Sequence, residues 1–298
     1  METEPLTIAQ LIRTDRPHIA ESSLKTYMFS LKKLNIINVA DVEKLSDPNA
    51  IFDEIKDMKI TQQRNLLSSI LIILKATQER KDLYEIYRAK TFELGCLYNE
   101  ELAKNEKTET QEKNWVKLDE LKKITRKLVR KDPKNQKSLI AALYSYQPPL
   151  RLDYYDMQLI ENEASVVDKT KNYLLITSSR KKTFILNDYK TSNKYDEVRV
   201  PVSKELNRVL NKFLKLNEID RKYLLQNKQG GPMSRNQLGK LIPEVFKATG
   251  KNVTLNIIRH VFVSESIDLE AVKQFQNIAD CMLHSSSEQQ NYAKLDKN

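Results

Sequence analysis

Through the first hundred positions apolar residues recur at helical spacing. Leu24, Tyr27, Leu31 and Leu34 share one face of a helix that Ser22 or Ser23 would cap, and Thr61 precedes a second helix, QQRNLLSSILIILKA, with a strongly apolar side. Short helices about 39–45 and 50–58 fit between them. A longer amphipathic stretch, 81–102, has Leu83, Ile86, Tyr87, Leu94 and Leu97 as its expected buried face. Together these predict a bundle of four or five helices over 1–103, whose plainest reading is a helical interaction module. At 104–114, KNEKTETQEKN, the apolar periodicity stops and the chain reads as a linker.

A different pattern follows. Trp115 and Val116 lead into a helix over 118–131 whose polar side bears Lys122, Lys123, Arg126, Lys127 and Arg130. A second helix, 136–146, must end at Pro148-Pro149, since proline has no N–H and restricts the residue before it. Three runs, 173–177, 183–188 and 197–202, are apolar or β-branched and separated by polar turns, which predicts a three-stranded antiparallel meander. From Lys204 on the chain reads as helix: KELNRVLNKFLKL, a loop at Gln229-Gly230-Gly231-Pro232, a helix capped by Ser234, and a closing stretch over 254–292. The expected fold class is mainly α with a small antiparallel β-meander (α+β). The expected domains are a helical 1–103, a linker 104–114 and a second domain 115–298.

Composition narrows the function classes. At 298 residues the chain can bury a real core. It has five glycines and neither G-x-x-x-x-G-K nor G-x-G-x-x-G, which argues against nucleotide-driven chemistry. Cys96 and Cys281 are too far apart for a local metal knuckle and read as reduced thiols of an intracellular protein, so no metal site is expected. The start, METEPLTIAQLIRT, lacks an apolar signal region, and the longest apolar run, 70–74, cannot span a bilayer. Cytosol or nucleoplasm is the expected location, with no membrane and no secretion.

Charge changes the picture more. Net charge is +10, and of 50 Lys+Arg and 40 Asp+Glu, residues 1–113 hold 17 and 19. The first part is therefore slightly acidic and the rest strongly basic, which points to a polyanionic partner for the second part. On the 118–131 helix the lysines and arginines would neutralise DNA phosphates and carry no base specificity; the alternative is a solvated face.

The second part also holds the candidate chemistry. Arg151 stands between Leu150 and Leu152 with Asp153 and Asp156 behind it. A guanidinium held among apolar neighbours needs an anion, either a carboxylate or a substrate phosphate. Lys190 lies just past the second strand, where a hairpin tip can carry it into a site. Asn256, Arg259 and His260 stand as N-x-x-R-H, and His284-Ser285 precedes Tyr292. Such a set can bind a phosphate and attack it; the alternative is ordinary core and surface residues on helices.

In order and context, Arg151, Lys190, Asn256-x-x-Arg259-His260, His284 and Tyr292 resemble the active site of the tyrosine recombinase (phage-integrase) family, which shares its catalytic fold with type IB topoisomerases. The resemblance covers most of the chain, with 1–103 similar to the core-binding domain and 115–298 to the catalytic domain. It implies Arg151 and Arg259 as the two arginines, Lys190 as the hairpin lysine, His284 at the H/W position, Tyr292 as nucleophile and His260 in support. Three positions depart from the family pattern. Asn256 replaces the first histidine of H-x-x-R and cannot carry a proton. Tyr154 stands where the family has an acid, so that Asp153 or Asp156 must substitute. Tyr292 follows His284 at a slightly short separation.

The implied chemistry is attack by the Tyr292 hydroxyl on a DNA phosphate held by the two arginines. Lys190 would protonate the leaving 5′ oxygen and His284 would hydrogen-bond the phosphate, giving a 3′-phosphotyrosine that a second 5′ hydroxyl can reverse. No metal, ATP or other cofactor is implied. The implied partner is duplex DNA, enclosed between two domains, with a homo-tetramer assembled on two DNA sites. Residues 293–298 are short beside the tail that many relatives dock into a neighbour. The divergent boxes are more similar to integrases of viruses or mobile elements than to chromosome-resolving enzymes. The alternatives are a type IB-like topoisomerase acting as a monomer and a non-catalytic DNA-binding descendant.

Overall fold

The computed structural model describes residues 6–77, 80–166, 168–217 and 221–292. The chain divides into two compact units, Met1–Glu106 and Lys107–Asn298. It is mainly helical with one small mixed sheet, an α+β fold. None of the described helices is long and apolar enough to cross a membrane.

In the first unit α1 (Ile8–Asp15), α2 (Glu21–Lys33), a 3-10 turn (Val39–Ser46), α3 (Pro48–Ile55), α4 (Ile60–Thr77) and α5 (Lys81–Ala103) surround one apolar core. Leu31, Ile36, Leu45, Leu67, Ile70 and Tyr87 are fully buried within it. Tyr87 keeps its hydroxyl satisfied by donating to the Leu45 carbonyl at 3.1 Å. The short helix expected about 39–45 is present as a 3-10 turn. Two expectations need correcting. Ala20 stands at the cap of α2, so Ser22 and Ser23 lie inside its first turn and cap nothing. On α5 the buried stripe is Leu83, Tyr87 and Leu94, whereas Ile86 and Leu97 are exposed. Both of the latter sit three residues beyond a stripe member, on the edge that the covering helices leave open.

The second unit opens with α6 (Glu109–Asn114), inside the stretch that reads as a linker. A local device makes this helix: Thr108 and Gln111 form a capping box, each side chain bonding the other's backbone N–H. Next come α7 (Leu118–Lys131) and α8 (Gln136–Ser145), then strands β1 (Gln158–Ile160), β2 (Tyr173–Ile176) and β3 (Lys182–Leu186). A single-turn α9 (Ser192–Tyr195), β4 (Val198–Pro201), α10 (Lys204–Leu216), α11 (Arg235–Val245), α12 (Leu255–Ser266), α13 (Leu269–Cys281) and α14 (Ser286–Tyr292) complete it. Residues 293–298, the short tail, lie outside the described residues.

The sheet runs β1-β2-β3-β4. β2, β3 and β4 form the antiparallel meander expected from sequence, and β1 adds a parallel strand that pairs Leu159 with Leu174. Alternation along the strands sends Leu174, Phe184 and Leu186 into the main core and Tyr173, Leu175 and Ile185 to a small cluster on the other face. α8 lies at the centre of the unit, with every residue from Ser138 to Ser145 buried. Lys182, only 3% exposed, ties β3 to α10: its ammonium donates to Asn207 at 2.8 Å and also to Asn211, all neutral acceptors. Burial accordingly holds its pKa below the ordinary lysine value.

Candidate functional site

Proline ends α8, and the chain that leaves it is anchored at once. Buried Tyr144 donates its hydroxyl to the Arg151 carbonyl at 2.9 Å, which directs the Arg151 side chain outward. Arg151 is exposed rather than buried among its apolar neighbours. The burial falls on the next residues, Asp153 at 5% exposure and Tyr154 at 0%. Tyr154 packs edge-on to Tyr144 and Phe184, so this position serves the core.

Asp153 sits beneath Arg151. Desolvation raises its carboxyl above the usual carboxylate range, opposed by the positive charges of Arg235 and Arg151. Arg235, the first residue of α11, reaches Asp153 with one nitrogen at 3.5 Å and lies over the Tyr155 ring at 5.2 Å. Asp156 turns elsewhere and faces Lys171 at 3.8 Å. Of the two acids considered from sequence, Asp153 alone lines the cleft with the arginines.

α12 supplies two more groups. Thr254 caps it by accepting from the Ile257 N–H, and Ile257, Ile258 and Val261 bury one side of it. Asn256 and Arg259, three residues apart, share the opposite side. Arg259 donates to the Pro149 carbonyl at 2.6 Å, just upstream of Arg151. His260 points off this face and is exposed outside the cleft.

Lys190 lies in the β3–β4 connection, held by a residue that sequence gave no reason to notice. Asn172, wholly buried, uses its full hydrogen-bonding capacity. Its amide donates to the carbonyls of Asp153 at 3.1 Å and Asp188 at 2.9 Å, and its oxygen accepts from the N–H groups of Asn187 and Asp188, both at 2.9 Å. One amide thus joins the segment after Arg151 to the loop that carries Lys190.

The result is a cleft of about 430 Å³ lined by Arg151, Leu152, Asp153, Lys190, Arg235, Leu255, Asn256 and Arg259. Four cations from four separate stretches face one carboxylate and one amide, an arrangement suited to a phosphate. Arg235 escaped the sequence reading because its neighbours show only a helix start; its tie to Asp153 exists only in three dimensions.

Besides Asp156 and His260, two further candidates do not line the cleft. His284 and Tyr292 stack on one another, ring centroids 5.4 Å apart and planes 26° from parallel, at the α13–α14 corner. Tyr292 is 63% exposed. That corner closes with Leu283 in a left-handed conformation, φ 58°, while the His284 N–H bonds the Ala279 carbonyl at 3.1 Å. Only Ala279 of α13 is buried.

Near the cleft in sequence but on its own face, α7 presents Lys123, Arg126, Lys127 and Arg130 exposed and Lys122 half-buried. The Glu265 carboxylate, near the end of α12, accepts the Leu118 N–H at 3.2 Å and so caps α7 from a distance.

No family model matches the chain, and no curated protein matches it. Among solved structures, one match is a crystal structure of XerA recombinase, 15% identical over 97% of this chain and 94% of that one, with a TM-score of 0.36. An overlap that loose carries no argument about the chemistry of this chain.

Proposed function

We propose that the chain is a DNA strand transferase that cuts and rejoins duplex DNA through a tyrosine–phosphate intermediate. The observation that carries this reading is the convergence of Arg151, Lys190, Asn256 and Arg259 on one cleft. Arg151 and Arg259 would hold the non-bridging oxygens and stabilise the five-coordinate transition state, with Asn256 as a further donor. Lys190, exposed on its loop, would protonate the leaving 5′ oxygen. Attack by the Tyr292 oxygen forms the O–P bond and breaks the P–O5′ bond; the tyrosine proton goes to solvent or a nearby base, and the 5′ oxygen takes one from Lys190. His284, stacked on Tyr292, would travel with it to the phosphate. The exposed faces of α7 and the helical unit Met1–Glu106 would grip the flanking duplex, and integration or excision of a viral or mobile element is the role the resemblance suggests.

A second reading is favoured by one observation: Tyr292 and His284 lie off the cleft, as they would in a protein that only binds DNA. Nicked duplexes from the DNA flanking the coding sequence separate the two. A covalent adduct surviving denaturation and mapping to Tyr292 is expected. Binding without any adduct across such substrates would leave the DNA-binding reading in place.

A further inference from the structure

The cleft holds more positive charge than one phosphate requires. A phosphodiester bears a single negative charge and its five-coordinate transition state two, whereas four cations and one carboxylate line this space. Asp153, even fully ionised, offsets only one of the four, and that one carboxylate already meets Arg235 at 3.5 Å. Arg235 is also held differently from the rest. One nitrogen meets Asp153 and its guanidinium carbon lies over the Tyr155 ring, while the side chain, about half exposed, lines the cleft with further N–H donors to offer. Its backbone is set by the Ser234–Gln237 capping box at the start of α11. A guanidinium so propped on a carboxylate and a ring is oriented in advance, as for planar recognition of a phosphate.

We propose that Arg235 binds a second DNA phosphate, the one adjacent to the scissile phosphate on the same strand, with Asp153 and Tyr155 as its supports. Arg235 is then a substrate-binding residue, and Asp153 and Tyr155 are positioning residues. The assignment rests on the reading of the cleft as a site for DNA. It explains why the α11 arginine joins a cleft in which Arg151 and Arg259 already suffice for the reacting group.

The test uses the full chain and a short mixed-sequence duplex, with affinity measured over a range of salt concentrations. Arg235→Gln should weaken binding about tenfold and reduce the slope of log affinity against log salt by about 0.9, one phosphate contact. Arg235→Lys, which keeps the charge, should retain the slope. Arg235→Gln combined with Asp153→Asn guards against unfolding around an abandoned carboxylate and should show the same loss of slope. An unchanged slope in both glutamine variants would mean an internal ion pair and overturn the proposal.

Position is tested on nicked substrates at saturating DNA, where Arg235→Gln should lose less adduct formation than Arg259→Ala. Equal losses would move Arg235 onto the scissile phosphate and overturn the adjacent-phosphate assignment. A methylphosphonate placed next to the scissile position should weaken binding by wild type and leave Arg235→Gln unaffected; the same loss in both proteins would also overturn it. Absence of any wild-type adduct would sink strand transfer, while salt slope and methylphosphonate binding still decide the role of Arg235.

Discussion

Asp153 and Asn172 show how buried polar residues set the cleft, and each carries a prediction. Burial raises the Asp153 carboxyl above its ordinary value of 3.8. The folded chain therefore holds that proton more tightly than the unfolded chain, and the stability involved is complete below the ordinary value and lost as pH rises through the elevated one. Asp153→Asn stays neutral throughout, so its melting temperature relative to wild type should rise from pH 3 to pH 7. A relative melting temperature that falls over this range would mean that the arginines hold Asp153 ionised. Asn172→Ala should displace the Lys190 loop and slow adduct formation. If Lys190 is the general acid, a bridging 5′ sulfur, which leaves without a proton, should restore most of the rate to Asn172→Ala and Lys190→Ala alike. No recovery in either variant would remove Lys190 from that role. Asn172 was not legible in sequence, and Asp153 was named there only as an alternative to Asp156. Arg151, Lys190, Asn256 and Arg259 were legible, because charged and amide groups at helix starts and turns are conspicuous, whereas an interior asparagine is recognised only by what surrounds it.

At the scale of elements, the helices with strong apolar periodicity and the three strands of the meander were readable in advance. β1 was not: Gln158–Ile160 spans three half-buried residues and owes its conformation to a parallel partner, Tyr173–Leu175, which no local pattern announces. The 104–114 stretch shows the opposite failure, where a Thr108–Gln111 capping box makes a helix without an apolar face. The α13–α14 corner carries its own signal. Leu283 adopts φ 58° at a position where glycine is usual, and at 93% exposure it gains almost no burial in return. Leu283→Gly should therefore stabilise the chain by about 1 kcal/mol in denaturant unfolding. It should also slow any step in which the segment bearing Tyr292 rearranges, since strain at such a corner favours departure from it. A loss of stability would show that the leucine is held by contacts elsewhere.

For the molecule as a whole, every residue that lines the cleft belongs to Lys107–Asn298, and that unit has its own core around α8. Residues 107–298 alone should fold cooperatively and bind duplex DNA with reduced affinity; circular dichroism and the binding assay check both. A fragment that stays unfolded would mean that its core depends on the first unit. The tether from Arg259 to the Pro149 carbonyl carries the matter further. Consecutive prolines allow little backbone freedom, so the relation between the stretch leading to Arg151 and the helix bearing Arg259 is settled when the unit folds, with no phosphate present. The conformational entropy of fixing the Arg259 guanidinium beside that stretch is then surrendered during folding and not when the ligand arrives. Such a preorganised receptor should melt in one step with its anion affinity, and calorimetry of binding should reveal little ordering entropy.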